Sequence, residues 1–116
     1  MRLTVDQRWR KTLVWLRRSF PVGFPVSVRR ETKIVVEGDV CDGVSWKQGK
    51  KGHIRLRRSQ CWGLTVDTLL HEWAHLATHD GHEYRNGEIH GGEWGLMYAK
   101  IYRAYIEWNY GRKQRG

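Results

Sequence analysis

The sequence predicts an α+β fold, and three observations carry that prediction. Apolar residues recur at helical spacing near the start of the chain and again through its second half. Between these stretches, from Val26 to about Arg58, Val and Ile form short alternating runs punctuated by Gly. The boundaries are marked, with Pro21 closing the first helical pattern and Asp80-Gly81 closing the second. The expected order is an N-terminal helix, a small three- to four-stranded and mainly antiparallel sheet, a second helix and a closing C-terminal helix. A chain of 116 residues is expected to make one domain, here over residues 1–110, with a basic disordered tail at 111–116.

The first helix follows from Thr4 and Gln7, which have the spacing of a capping box. Val5, Trp9, Leu13, Leu16 and Phe20 then recur at helical intervals, with Arg8, Arg10, Lys11, Arg17 and Arg18 between them. The strand region rests on Val26 and Val28, Ile34 to Val36, Val40, Val44 with Trp46, and Ile54 with Leu56. Gln48-Gly49-Lys50-Lys51-Gly52 reads as the turn of a hairpin joining Val44–Lys47 to His53–Arg57. Within His53–Arg57, Ile54 and Leu56 should face inward, and His53, Arg55 and Arg57 outward. The same segment is expected to be an exposed edge able to hold an extended peptide by strand addition. The second helix is expected to start near Thr65 as N-cap, with Asp67 in its first turn. Leu69, Leu70, Trp73, Leu76 and Ala77 supply its apolar face. After a polar loop from His82 to Ile89, the third helix should run from about Gly92 to Trp108. Its stripe is Trp94, Met97, Tyr98, Ile101, Tyr105 and Trp108.

His71-Glu72-Trp73-Ala74-His75, inside the second helix, is an HExxH motif. Residues four apart on a helix are offset by about 40° and about 6 Å along the axis, so two imidazoles can reach one metal ion. Glu72 lies beside them and can act on a water without ligating the metal. Chance gives about 0.02 such matches in a chain of this composition. A catalytic zinc usually takes three protein ligands, and the candidates for the third are His79, His82, Glu88, His90 and Glu93. With His71 and His75, His79 would spread three Cβ atoms over about 12 Å of straight helix, too far for one ion. The pattern HExxHxxGxxH would need Gly at 78 and His at 81, where the chain has Thr78 and Gly81. His90 is preferred, because it follows the polar loop and Gly91-Gly92 removes bulk where the chain turns close to the metal. Glu93 is the alternative. Tyr84, His82 and Tyr98 are candidates for holding an oxyanion or supporting a ligand.

These residues, Asp67-Thr68-Leu69-Leu70-His71-Glu72-Trp73-Ala74-His75 and His90-Gly91-Gly92-Glu93-Trp94, resemble the SprT-like zinc metallopeptidases. That family includes the Spartan protease domain and small phage- and prophage-encoded proteins with the same core. Its pattern is HExxH, a short spacer, then His-Gly-x-x-aromatic. The resemblance implies a minimal zincin-like fold, one Zn²⁺ bound by His71, His75 and His90, and Glu72 as general base. It also implies a peptide or protein substrate, with DNA-associated proteins among those implied. The chain departs from the family at Gly92, where Pro is frequent, and in having a basic tail where many members carry a Cys-rich zinc ribbon.

The charge points to a second class of partner. There are 21 Lys+Arg against 12 Asp+Glu, a net charge of +9, and such an excess favours an acidic partner such as nucleic acid. The densest cluster is Lys47, Lys50, Lys51, Arg55, Arg57 and Arg58, with Trp46 and Trp62 near enough to stack on bases. Weak, salt-sensitive DNA binding is the expectation. Two other functions therefore stand beside the peptidase: a nucleic-acid-binding module with a structural zinc, and a phage-encoded interaction protein. No apolar run is long enough to span a membrane. The N-terminal 20 residues carry charges throughout, which argues against a secretory signal and for a cytoplasmic protein, in the host cytoplasm if phage-encoded. Cys41 and Cys61, with no CxxC, are expected to be reduced. Of the 7 Trp, Trp9, Trp73, Trp94 and Trp108 fall on expected helix faces and should supply core mass.

Overall fold

The computed structural model of the chain describes residues 3–58, 61–78 and 92–114. Helix α1 spans Val5–Ser19 and opens on the expected capping box. The Thr4 hydroxyl accepts from the Gln7 amide at 3.1 Å, and the Gln7 side chain accepts from the Thr4 amide at 2.8 Å. Trp9, Leu13 and Leu16 face the core.

Five short strands follow: β1 (Val26–Glu31), β2 (Val35–Val36), β3 (Asp39–Val40), β4 (Gly43–Gln48) and β5 (Lys51–Arg57). β4 and β5 form the expected antiparallel hairpin, with Gly49 at φ 59° as the first of two turn residues. Positive φ at that position but not at Lys50 is the mark of a II′ turn, which suits the twist of the strands. Glu37 and Gly38, at φ 52° and 87°, turn β2 back onto β3 as an antiparallel pair. β1 instead joins β5 in parallel, from Val26 opposite Gly52 to Glu31 opposite Arg57, so the sheet order is β1-β5-β4. The class is α+β, and among the described residues two of the three ladders are antiparallel.

This topology corrects one expectation. His53–Arg57 is not an edge, because β5 is the central strand. β1 carries two inward valines and has no hairpin partner of its own, so it satisfies its backbone on the open side of β5. The Gly52 amide bonds the Pro25 carbonyl at 2.8 Å, and the Arg58 amide bonds the Glu31 carbonyl at 2.7 Å, at the two ends of that ladder. The edges of the sheet are β1 and β4. The inward and outward faces of β5 are as expected, with Ile54 and Leu56 fully buried.

Helix α2 runs Trp62–Ala77 and begins earlier than expected, with Cys61 rather than Thr65 as N-cap. The Thr65 hydroxyl donates to the Cys61 carbonyl at 3.0 Å from inside the first turn, a local bond that lets Thr sit within a helix. Helix α3 runs Gly92–Gln114, past Trp108 and through four residues expected in a disordered tail. Arg, Lys and Gln are good helix formers, and cations suit a helix C-terminus.

The helices pack on one face of the sheet. A single cluster joins Trp9, Leu13 and Leu16 of α1, Ile54 and Leu56 of β5, Leu69, Leu70, Trp73 and Leu76 of α2, and Ile101 and Tyr105 of α3. The Trp73 indole donates to the Phe20 carbonyl at 2.9 Å, which ties α2 to the end of α1. Two glycines set the distance between α2 and the sheet. A Cβ on Gly43 would lie 2.5 Å from Thr68 Cγ2, and one on Gly52 would lie 3.1 Å from Leu76 Cδ1. Gly52 is the register partner of Lys47, so α2 runs alongside β4 in the same direction. Thr68 lies beside Gly43, Glu72 beside Ser45, and Leu76 near the hairpin end. No described helix is long and apolar enough to cross a membrane.

Candidate metal centre

His71 and His75 stand one turn apart on the flank of α2 next to its sheet-facing stripe. Their Nε2 atoms converge to 3.1 Å. Two imidazole nitrogens on one tetrahedral zinc lie about 3.3 Å apart, given Zn–N bonds of about 2.0–2.1 Å. The pair therefore already has nearly the separation that one ion requires. With a carboxylate oxygen of Glu72 the three donor atoms lie within 4.8 Å of one another, a group able to hold a metal ion.

Helix α3 closes the site from the other side. The Trp94 ring stacks on His75, with centroids 5.0 Å apart and planes at 17°, and meets His71 edge-on at 4.7 Å. Its Nε1 donates to the His71 carbonyl at 3.2 Å. One indole thus fixes the orientation of both imidazoles and bonds to the helix that carries them. Tyr98, one turn further along α3, lies 5.6 Å from the His71 ring. Its hydroxyl donates to the carboxylate of Asp67, which precedes His71 by four residues. Burial first, then this bond and the charge of Asp67, hold the Tyr98 phenol above its ordinary range.

Glu72 lies on the β4 side of the two imidazoles and is only 6% exposed. The Ser45 hydroxyl donates to its Oε1 at 3.1 Å. Burial pushes the Glu72 carboxyl up from 4.5 to about 7, and the Ser45 bond pulls it the other way. A carboxyl that titrates near neutrality exchanges protons readily in either direction, as a general base must.

Comparison with known protein families, with curated proteins and with solved structures finds no match for this chain. Imidazole nitrogens suit zinc, copper, iron and nickel, and the convergent pair fits such an ion.

The structure brings together His71, Glu72, His75 and Tyr98 of the residues singled out in the sequence. His90, His82, Tyr84, His79 and Glu88 lie outside the described residues. Glu93 is in the first turn of α3 and exposed. The sequence reading missed Ser45 and gave Asp67 no part in the site. Ser45 had no local signal, because Val44 and Trp46 are the apolar residues of that strand and the tertiary fold decides which face meets α2. Asp67 had one, because it shares the helical spacing of His71 and His75.

The six basic residues of the expected nucleic-acid patch divide between two sides of the sheet. Alternation along the hairpin places Lys51, Arg55 and Arg57 on the face away from the helices and Lys47 on the helix side, where its Nζ lies 4.7 Å from the Phe24 ring centre. Lys50 is in the turn, and an Arg58 guanidinium nitrogen donates to the Arg30 carbonyl at 3.2 Å. Arg55 is paired with Glu31 at 3.1 Å, and Arg57 is paired with Asp42. Trp46 is occupied as well, stacked on His53 at 4.9 Å with the Arg55 guanidinium 5.2 Å from its ring. Trp62 packs against the core.

Proposed function

We propose that this chain is a zinc-dependent peptidase, with His71, His75 and His90 as metal ligands and Glu72 as general base. The observation that carries this reading is the convergence of the His71 and His75 Nε2 atoms at 3.1 Å beside the buried Glu72 carboxyl, which Ser45 holds by a hydrogen bond. A structural metal site has no need of such a carboxyl. Zn²⁺, when bound, supplies Lewis-acid polarisation of the scissile carbonyl and activation of water.

The chain's own groups do the rest. Glu72 takes a proton from the attacking water onto its carboxylate and later delivers it to the leaving amine. Trp94 and Tyr98 exclude solvent from the α3 side of His71 and His75. The Tyr98 hydroxyl is engaged by Asp67, so its part is to support the His71 side of the site. β4 is the sheet edge that lies along α2, and half of an edge strand's backbone groups point away from its partner. An extended substrate adds to that edge as a further strand, which brings its backbone past Ser45 and Glu72.

The test is hydrolysis of a casein or peptide-library substrate by the zinc-loaded chain and by Glu72→Gln. The wild type should cut, and the variant should lose at least 10²-fold in rate while retaining its zinc. Equal rates for the two proteins would overturn the assignment.

A further inference from the structure

We infer that Ser45 is a positioning residue that keeps Glu72 as a base by preventing it from becoming a metal ligand. The inference rests on the peptidase reading for its consequence in catalysis, but the tether itself is a matter of coordination. Glu72 has a choice of partners. Its carboxylate oxygen lies within 4.8 Å of the ligand nitrogens of His71 and His75, close enough for a modest side-chain rotation to bring it onto an ion held there. Carboxylate oxygen is a good zinc ligand at about 2.0–2.2 Å, so attraction to a dication favours that rotation. A Glu72 bound to the metal would have its charge and lone pair committed and could not accept a proton.

Ser45 opposes this from the other side. Its hydroxyl donates to Glu72 Oε1 at 3.1 Å, and the bond is part-buried, where losing it costs more than in water. The Ser45 backbone cannot follow Glu72 towards the metal. It sits in β4, paired opposite Ile54 of the central strand. The β4–α2 separation is fixed one residue pair away, where Gly43 leaves no room for a Cβ against Thr68. Ser45 is therefore a fixed post on the sheet, and Glu72 is tied to it across the gap between strand and helix. No other side chain of β4 can substitute. Val44 and Trp46 face the opposite side of the sheet, and Lys47 is a donor displaced two residues along the strand, over the Phe24 ring.

The experiment replaces zinc with Co²⁺, whose visible absorption reports coordination number, and compares wild type, Ser45→Ala and Ser45→Thr. Circular dichroism confirms that each is folded. In Ser45→Ala the Co²⁺ bands should weaken and shift to shorter wavelength as a carboxylate joins the ion, and Co²⁺ should bind about 10-fold more tightly. With zinc, kcat should fall by about 10²-fold with KM unchanged. Ser45→Thr, which keeps the hydroxyl, should restore the wild-type spectrum and most of kcat. A merely structural serine would change stability without changing the spectrum. A Ser45→Ala spectrum identical to wild type would overturn the inference, and so would failure of Ser45→Thr to restore it. A wild-type chain that binds Co²⁺ but cuts no peptide would sink the peptidase reading, and the spectra would still decide the role of Ser45.

Discussion

The indole of Trp94 lies flat against the imidazole of His75, with 5.0 Å between ring centres, while its N–H bonds the backbone carbonyl of His71. One side chain of α3 therefore braces both imidazoles of α2. Groups that orient ligands typically change metal affinity by about 10- to 100-fold when lost. Trp94→Leu should weaken zinc binding by about 10-fold, and Trp94→Phe, which keeps the stack but not the N–H, by less. Competition with a chromophoric chelator measures both. Unchanged affinity in Trp94→Leu would show that the imidazoles are held by α2 alone.

Glu72 links stability to pH in the metal-free chain. Its carboxyl titrates at about 7 when folded and near 4.5 when unfolded, because burial disfavours the charged form. The folded chain thus keeps a proton that the unfolded chain has already released. The stability this contributes is complete below about 4.5 and is lost as pH rises through about 7. The loss is of order 3 kcal/mol. Urea denaturation of metal-free protein at pH 5 and pH 8 should show this difference in wild type and a smaller one in Glu72→Gln. The same pH dependence in both would assign it elsewhere.

The Tyr98 hydroxyl is spent on Asp67. Tyr98→Phe should therefore cost about 1–2 kcal/mol of stability, the usual penalty for a lost buried hydrogen bond. Its effect on kcat should be under about 10-fold, whereas loss of an oxyanion donor typically costs 10²–10³-fold. Denaturation and steady-state kinetics on the same preparation separate the two roles.

Gly43 holds α2 close to β4. A methyl group there would meet Thr68 Cγ2 at 2.5 Å, so Gly43→Ala should destabilise the chain by about 1–3 kcal/mol. The double variant Gly43→Ala/Thr68→Ser, which removes the opposing methyl, should recover most of that loss. Thermal melts of the three proteins check both statements.

The parts of the fold that were legible from sequence are those written in local chemistry. The Thr4–Gln7 cap, the helical stripes and the Gly49 turn each depend on residues within a few positions of one another. So does the His71–His75 pair, since helical spacing alone brings the two imidazoles together. The parts that were missed depend on distant pairing. Nothing within His53–Arg57 tells that β1, more than 20 residues earlier, docks on its open side, and so the edge was assigned to β5 instead of β4. The Ser45–Glu72 bond spans 27 residues and required knowing which strand faces α2. Trp94 reads from its spacing as core mass on the α3 stripe, but its bond to the His71 carbonyl crosses 23 residues and is a property of the tertiary fold.

The most direct measurement is a calorimetric titration of the metal-free chain with Zn²⁺, beside His71→Ala and His75→Ala. The expected result is uptake of one ion per chain by the wild type and loss of that binding in each variant. No uptake by the wild type, or equal uptake by all three proteins, would contradict a metal centre at the convergent imidazoles.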